Sequence, residues 1–171
     1  MNLRNIVLVG FMGTGKTTVG QLLSEQTGMP LVDMDAKIED RAGKSINEIF
    51  AQDGEPHFRT LEREMTQDLA AREGQVVSTG GGVVLNPANI ADYEQNGLVV
   101  CLLASAEEIL NRIQHDDTRP LLAGDKQELV LQLLENRRPL YEAITHKIDT
   151  NGLAPEEIAQ KIIRLYESNN P

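Results

Sequence analysis

The sequence predicts an α/β fold: five parallel strands between two layers of helices, carried by one domain over residues 1–171. Three observations predict it. Short strand-like runs recur at 6–9, 31–35, 75–78, 98–103 and 147–149. Between them lie longer segments whose apolar residues return every three or four positions, as the crossover helices of a parallel sheet require. The first run also leads straight into a glycine-rich turn and then a helical pattern.

That first stretch organises the rest. Ile6 to Val9 is an apolar run of buried-strand type, and Gly10-Phe11-Met12-Gly13-Thr14-Gly15-Lys16-Thr17 follows at once. It matches every fixed position of the phosphate-binding loop G-x-x-x-x-G-K-[ST]. Glycines let the backbone turn its N–H groups inward and crowd an anion. The helix that follows, with Val19, Leu22 and Leu23 on one face, brings its positive end to the same place. Lys16 supplies a point charge for β/γ-phosphates, and the Thr17 hydroxyl supplies a hard oxygen for Mg²⁺. A glycine turn that matches by chance is the competing reading, and the strand–loop–helix setting weighs against it. The stretch predicts a three-layer P-loop NTPase fold that binds a nucleoside triphosphate with Mg²⁺.

Gly28 and Pro30 end the first helix. The run 31–35 is expected to be a strand ending in two carboxylates, Asp33 and Asp35, which alternation places on one side. Ligands of an open parallel sheet sit beyond the strands' carboxyl ends, so both face the phosphate loop's crevice. Either one also suits the cap of the next helix, 36–42. Ser45 to Glu48 is a capping box, and Ile46, Ile49 and Phe50 stripe the helix it opens. A long helix is expected over 56–72, with Phe58, Leu61, Met65 and Leu69 on one face. Arg59 and Glu62 stand three apart on a neighbouring face, where a solvated ion pair is the ordinary outcome.

The strand 75–78 leads into Thr79-Gly80-Gly81-Gly82, either a loose turn or a second place where backbone must approach a small ligand. Asn86-Pro87 opens a helix that Gly97 stops. The fully apolar run 98–103 reads as a central strand. Ser105 caps a helix over 106–114. Residues 115–126 are polar at both ends and contain Arg119, Pro120 and Gly124, which reads as a lid. A helix over 128–143 is expected to kink or break at Pro139. Pro155 opens the last amphipathic helix.

Composition narrows the function. A net charge of −10 argues against nucleic acid, so any polyanion must be met by a few basic residues facing one cleft. No apolar run reaches membrane-spanning length, the first strand leaves no room for a leader, and a lone Cys101 suits a reducing cytoplasm. Two rival classes share the phosphate loop. A GTPase switch would need D-x-x-G and N-K-x-D in context. Asp40 to Gly43 lies in a helical pattern, and 146–149 has His146 in place of Asn. A kinase acting on a nucleotide or sugar acid is the other.

The motifs together resemble the shikimate kinase family along nearly the whole chain. They are D-x-D at 33–35, F-R-x-x-E at 58–62, T-G-G-G at 79–82, R-P-L-L at 119–122 and R-x-P-L-Y at 137–141. The resemblance implies a cytoplasmic, monomeric enzyme of nucleoside-monophosphate-kinase-like fold. It would pass phosphate from ATP to the 3-hydroxyl of shikimate on the route to aromatic amino acids. It assigns ATP to Gly13, Thr14, Gly15, Lys16, Thr17, Thr18 and Arg119, and shikimate to Asp35, Arg59, Gly81 and Arg137; the bare backbone of Gly80 and Gly82 can approach the same acid. Thr17 would ligate Mg²⁺, with Asp33 near it through water. Asp35 would be the base, assisted by Lys16 and Arg119. Residues about 33–62 would form the acceptor subregion, 115–126 the lid, and 151–155 the adenine wall. The chain has no ordinary Walker-B aspartate after its apolar strands, and neither does the family.

Overall fold

A computed structural model describes residues 4–115 and 125–169. Five parallel strands form one sheet in the order β2-β3-β1-β4-β5. They are β1 (Asn5–Val9), β2 (Leu31–Asp33), β3 (Val76–Ser78), β4 (Gly97–Leu103) and β5 (His146–Asp149). The helices are α1 (Lys16–Thr27), α2 (Met34–Ala42), α3 (Ile46–Gln52), α4 (Glu55–Ala70), α5 (Pro87–Asn96), α6 (Ala106–Gln114), α7 (Asp125–Glu142) and α8 (Pro155–Asn169). A short 3-10 turn, Val83–Leu85, precedes α5.

Side-chain alternation builds two cores from one sheet. Ile6 and Leu8 of β1 join Val76, Val100 and Leu102 on the face covered by α1 and α8. Val7 and Val9 join Val77, Val99 and Cys101 on the opposite face, under residues of α2 to α7. Strands buried on both faces carry no polar alternation, which is why 6–9 and 98–103 read as continuous apolar runs. Cys101 is fully buried, and burial pushes its thiol up to about 12, so it is core filler.

Register lines up the carboxyl ends. Leu8 pairs with Ser78 and Ser78 with Asp33, so the exits of β1, β3 and β2 lie side by side. Each exit leads into a segment that the sequence singles out: the phosphate loop, Thr79 to Gly82, and Asp35.

Two local expectations need correction. β2 ends at Asp33, and Asp35 is in the first turn of α2 rather than on a strand. The Asp33 side chain accepts a hydrogen bond from the Ala36 N–H at 3.1 Å, and that cap starts the helix two residues early. Strand alternation therefore does not place the two carboxylates together; a cap and a first-turn position do. Pro139 does not end α7, which continues to Glu142. Proline here removes one hydrogen bond within the last turn, and Leu134 and Tyr141, both buried, hold the two sides of it in the core.

Candidate functional site

The phosphate loop closes over the end of β1 through three left-turning glycines, Gly10 (φ 151°), Gly13 (φ 75°) and Gly15 (φ 93°). Gly10 is also a place of close approach: a β-carbon there would stand 2.6 Å from the Leu102 carbonyl oxygen. Buried Thr14 donates to the Phe11 carbonyl at 2.7 Å and fixes the curve. The Lys16 ammonium lies across the loop, donating to the carbonyls of Gly10 (2.7 Å) and Phe11 (2.9 Å). Thr17 and Thr18 are exposed in the first turn of α1.

Thr79 ties the glycine run to the same strand. Its N–H and its hydroxyl both donate to the Leu8 carbonyl, at 3.1 and 2.9 Å. The three glycines then run past four charged side chains. A β-carbon on Gly80 would stand 2.8 Å from Asp35 Oδ1 and 3.5 Å from Glu62 Oε2. One on Gly82 would be 2.6 Å from Arg59 Nη2, and one on Gly81 would be 3.9 Å from Arg137 Nη1 and 3.7 Å from the Met12 N–H. A side chain at 80 or 82 would push the Asp35 carboxylate or the Arg59 guanidinium out of place, so a bare run keeps both where they are. A close approach, not a loose turn, explains it.

Each charged group is aimed by its own element. Arg59 donates to Glu62 at 2.9 Å and to Glu55 at 3.2 Å. Glu62 is 2% exposed, so this is not the solvated pair that the spacing ordinarily gives: one member lies in the core and holds Arg59. Arg137 is one turn before Tyr141 on α7. The Tyr141 hydroxyl donates to the Gly81 carbonyl, and its ring meets Phe11 edge-on at 6.3 Å. That contact fixes α7 against both loops. Burial pushes the Tyr141 hydroxyl up to about 12, so it stays a neutral donor.

Electrostatics binds the cluster together. Burial holds the Asp35 carboxyl above its ordinary value, and Asp33 adds to the effect. Lys16 pulls it down, Glu39 raises it, and Arg59 pulls it down again. Glu62 is also raised, by burial first, against the pull of Arg59. In a chain of net charge −10, Lys16, Arg59 and Arg137 thus face one carboxylate-lined cleft.

The family profile described as shikimate kinase matches residues 12–167. The chain belongs to the shikimate kinase family. A shikimate kinase of Thermodesulfovibrio yellowstonii is 46% identical over 166 residues, covering 96% of each chain. One of Caldicellulosiruptor bescii is 44% identical over 165 residues, again covering 96% of each. The solved shikimate kinase of Acinetobacter baumannii in complex with shikimate is 40% identical, with a TM-score of 0.88 over 98% of this chain and 95% of that one. The fold is accordingly that of the P-loop shikimate kinases, a five-stranded parallel sheet flanked by helices.

Within this shikimate kinase fold, the residues expected from sequence gather as follows. Gly13 to Thr18 form the loop and first turn of α1, while Asp35, Arg59, Gly80 to Gly82 and Arg137 surround one point beside it. Arg119 and the rest of 116–124, expected as the lid, lie outside the described residues. Sequence reasoning missed Arg112. It sits on α6 and pairs with Glu108 at 2.8 Å, which looks like an ordinary pair one helical turn apart. Its other nitrogens donate to the Gly13 carbonyl (3.3 Å) and to Thr150 (3.2 Å to the hydroxyl). Arg112 thus clamps Thr150, the residue just before the expected adenine wall, onto the phosphate loop. No local pattern marks a contact across 99 positions.

Proposed function

We propose that this chain transfers the γ-phosphate of ATP to the 3-hydroxyl of shikimate, giving shikimate 3-phosphate and ADP. The observation that carries the reading is the convergence of Asp35, Arg59, Arg137 and the bare Gly80 to Gly82 backbone beside Lys16. Two guanidiniums suit the carboxylate of a ring acid, because each can bond it through two parallel N–H groups. Glu62 holds Arg59 in place for that task. Asp35 then meets the opposite side of the ring, accepts the hydroxyl's hydrogen bond and takes its proton as the oxygen attacks phosphorus. A carboxyl raised by burial is a better base at neutral pH than an exposed one. The loop N–H groups and Lys16 hold the phosphates and spread the transition-state charge, so most of the rate comes from positioning and electrostatics.

The donor set also fits Mg²⁺. The Thr17 hydroxyl is exposed beside the phosphate loop, and Asp33 offers a carboxylate close to Asp35 with one oxygen committed to the helix cap. Hard oxygens and a small number of protein ligands are what Mg²⁺ with a nucleotide prefers. Thr17 would hold the ion directly and Asp33 through water, and the bound ion would neutralise charge on the β- and γ-phosphates. Residues 33–62 form the acceptor subregion of a single kinase domain on this reading, and 151–155 the adenine wall. The enzyme acts as a cytoplasmic monomer, without nucleic acid or membrane. The acidic surface supports the first exclusion, and no helix among the described residues is long and apolar enough to cross a membrane.

A coupled assay of ADP release tests the proposal with shikimate, gluconate, AMP and no acceptor in parallel. Release at least a hundredfold faster with shikimate is expected. Equal rates without acceptor, or a preference for gluconate or AMP, would overturn it.

A further inference from the structure

Behind the acceptor cleft, two buried polar atoms on neighbouring turns of α4 lack a well-formed hydrogen bond among the described residues. On side chains 2% and 0% exposed, Glu62 Oε2 and Thr66 Oγ1 are both buried without a hydrogen bond of good geometry among the described residues. Positions four apart lie on one helix face. Tyr93 of α5, 1% exposed, brings its hydroxyl to the same place: its oxygen faces the Thr66 hydroxyl as a loose acceptor, it feels the Glu62 charge, and it donates to Met34 Sδ at 3.6 Å. A buried carboxylate oxygen with no donor is costly, and two hydroxyls beside it that match each other only loosely complete the set that an ordered internal water needs. The other Glu62 oxygen holds Arg59.

We propose that Thr66 and Tyr93 are positioning residues for the acceptor site, cradling one buried water against Glu62 Oε2 and through Glu62 fixing the Arg59 guanidinium. The inference rests on Arg59 serving the acceptor carboxylate, as above. The water keeps Glu62 solvated enough to remain an anion, and an anion grips Arg59 more firmly than a neutral acid does. The charged groups facing Glu62 are Arg59 on its own helix, Asp35 from α2 and Arg137 from α7, with neutral Tyr93 from α5. Burial already raises the Glu62 carboxyl, so loss of the water would push it further towards protonation.

The test is steady-state kinetics of Thr66→Val, Thr66→Ser and Tyr93→Phe against the parent, with each substrate varied in turn at pH 6 and pH 8.5. Thr66→Val and Tyr93→Phe should each raise KM for shikimate about three- to tenfold, with kcat and KM for ATP within twofold. The rise should be larger at pH 6 than at pH 8.5, because a carboxyl raised further by loss of the water is the more protonated at the lower pH. Thr66→Ser, which keeps the hydroxyl, should stay within twofold of the parent. In an Arg59→Ala background, Thr66→Val should add nothing further to KM, because the path through Arg59 is already cut. An unchanged KM for shikimate in Tyr93→Phe and Thr66→Val overturns the inference. So does an equal rise in both KM values, or a Thr66→Ser that behaves like the valine. A parent enzyme with no shikimate-dependent turnover would instead count against the proposed activity itself.

Discussion

Asp35→Asn is expected to lower kcat at least a hundredfold while leaving the Kd for ATP within about threefold of the parent. The amide keeps the size of the carboxylate and can still touch the acceptor hydroxyl, but it cannot take its proton. ATP binding belongs to the loop backbone and Lys16, which the substitution leaves intact. Stability should move the other way. The Asp35 carboxyl is raised from 3.8 by burial and by Asp33, so its ionised form is disfavoured in the fold. Below the ordinary carboxylate pKa both folded and unfolded chains are protonated there and the fold bears no cost. As pH rises through the raised native value, that freedom from cost is lost. Asp35→Asn should therefore melt above the parent at pH 8, with the difference closing at acid pH. A variant that turns over normally, or that fails to bind ATP, would remove Asp35 as the base.

Arg59→Ala should raise KM for shikimate about ten- to a hundredfold, with KM for ATP little changed, since a charge-assisted bidentate contact to the acceptor is lost. It should also cost stability. Glu62 would be left as an unpaired carboxylate in the core, a loss of about 3 kcal/mol, or a Tm lower by roughly 10 °C. Protonation of Glu62 relieves that cost, so the Tm deficit should shrink as pH falls. Adding Glu62→Gln should restore much of the Tm but not the KM, which separates the two roles of one guanidinium. A rise confined to KM for ATP would mean that the cleft is oriented the opposite way.

These expectations show what the sequence could and could not convey. The sheet was legible because strands buried on both faces leave unbroken apolar runs, as at Ile6 to Val9 and Leu98 to Leu103. The phosphate loop was legible because its glycines carry a backbone constraint that shows as spacing. Strand alternation misplaces Asp35, while the cap that either aspartate could supply is supplied by Asp33; a helix cap and a strand end share residue types, and the Ala36 N–H decides between them. Of the kink or break that Pro139 suggests, the break does not occur, because core packing by Tyr141 carries α7 through it. Arg59 and Glu62 were legible as a pair but not as a buried one, since burial of Glu62 depends on Gly80 and α5 closing over it. Arg112 was invisible for the same reason: its contact to Gly13 exists only once the sheet is assembled.

The most direct test of the account is a crystal structure with shikimate and Mg²⁺ bound to a non-hydrolysable ATP analogue. The ring carboxylate is expected between Arg59 and Arg137, the 3-hydroxyl within about 3 Å of the Asp35 carboxylate, and the γ-phosphate beside Lys16 in line with that oxygen. Shikimate bound with its carboxylate towards Lys16, or with its 3-hydroxyl beyond the reach of Asp35, would contradict it.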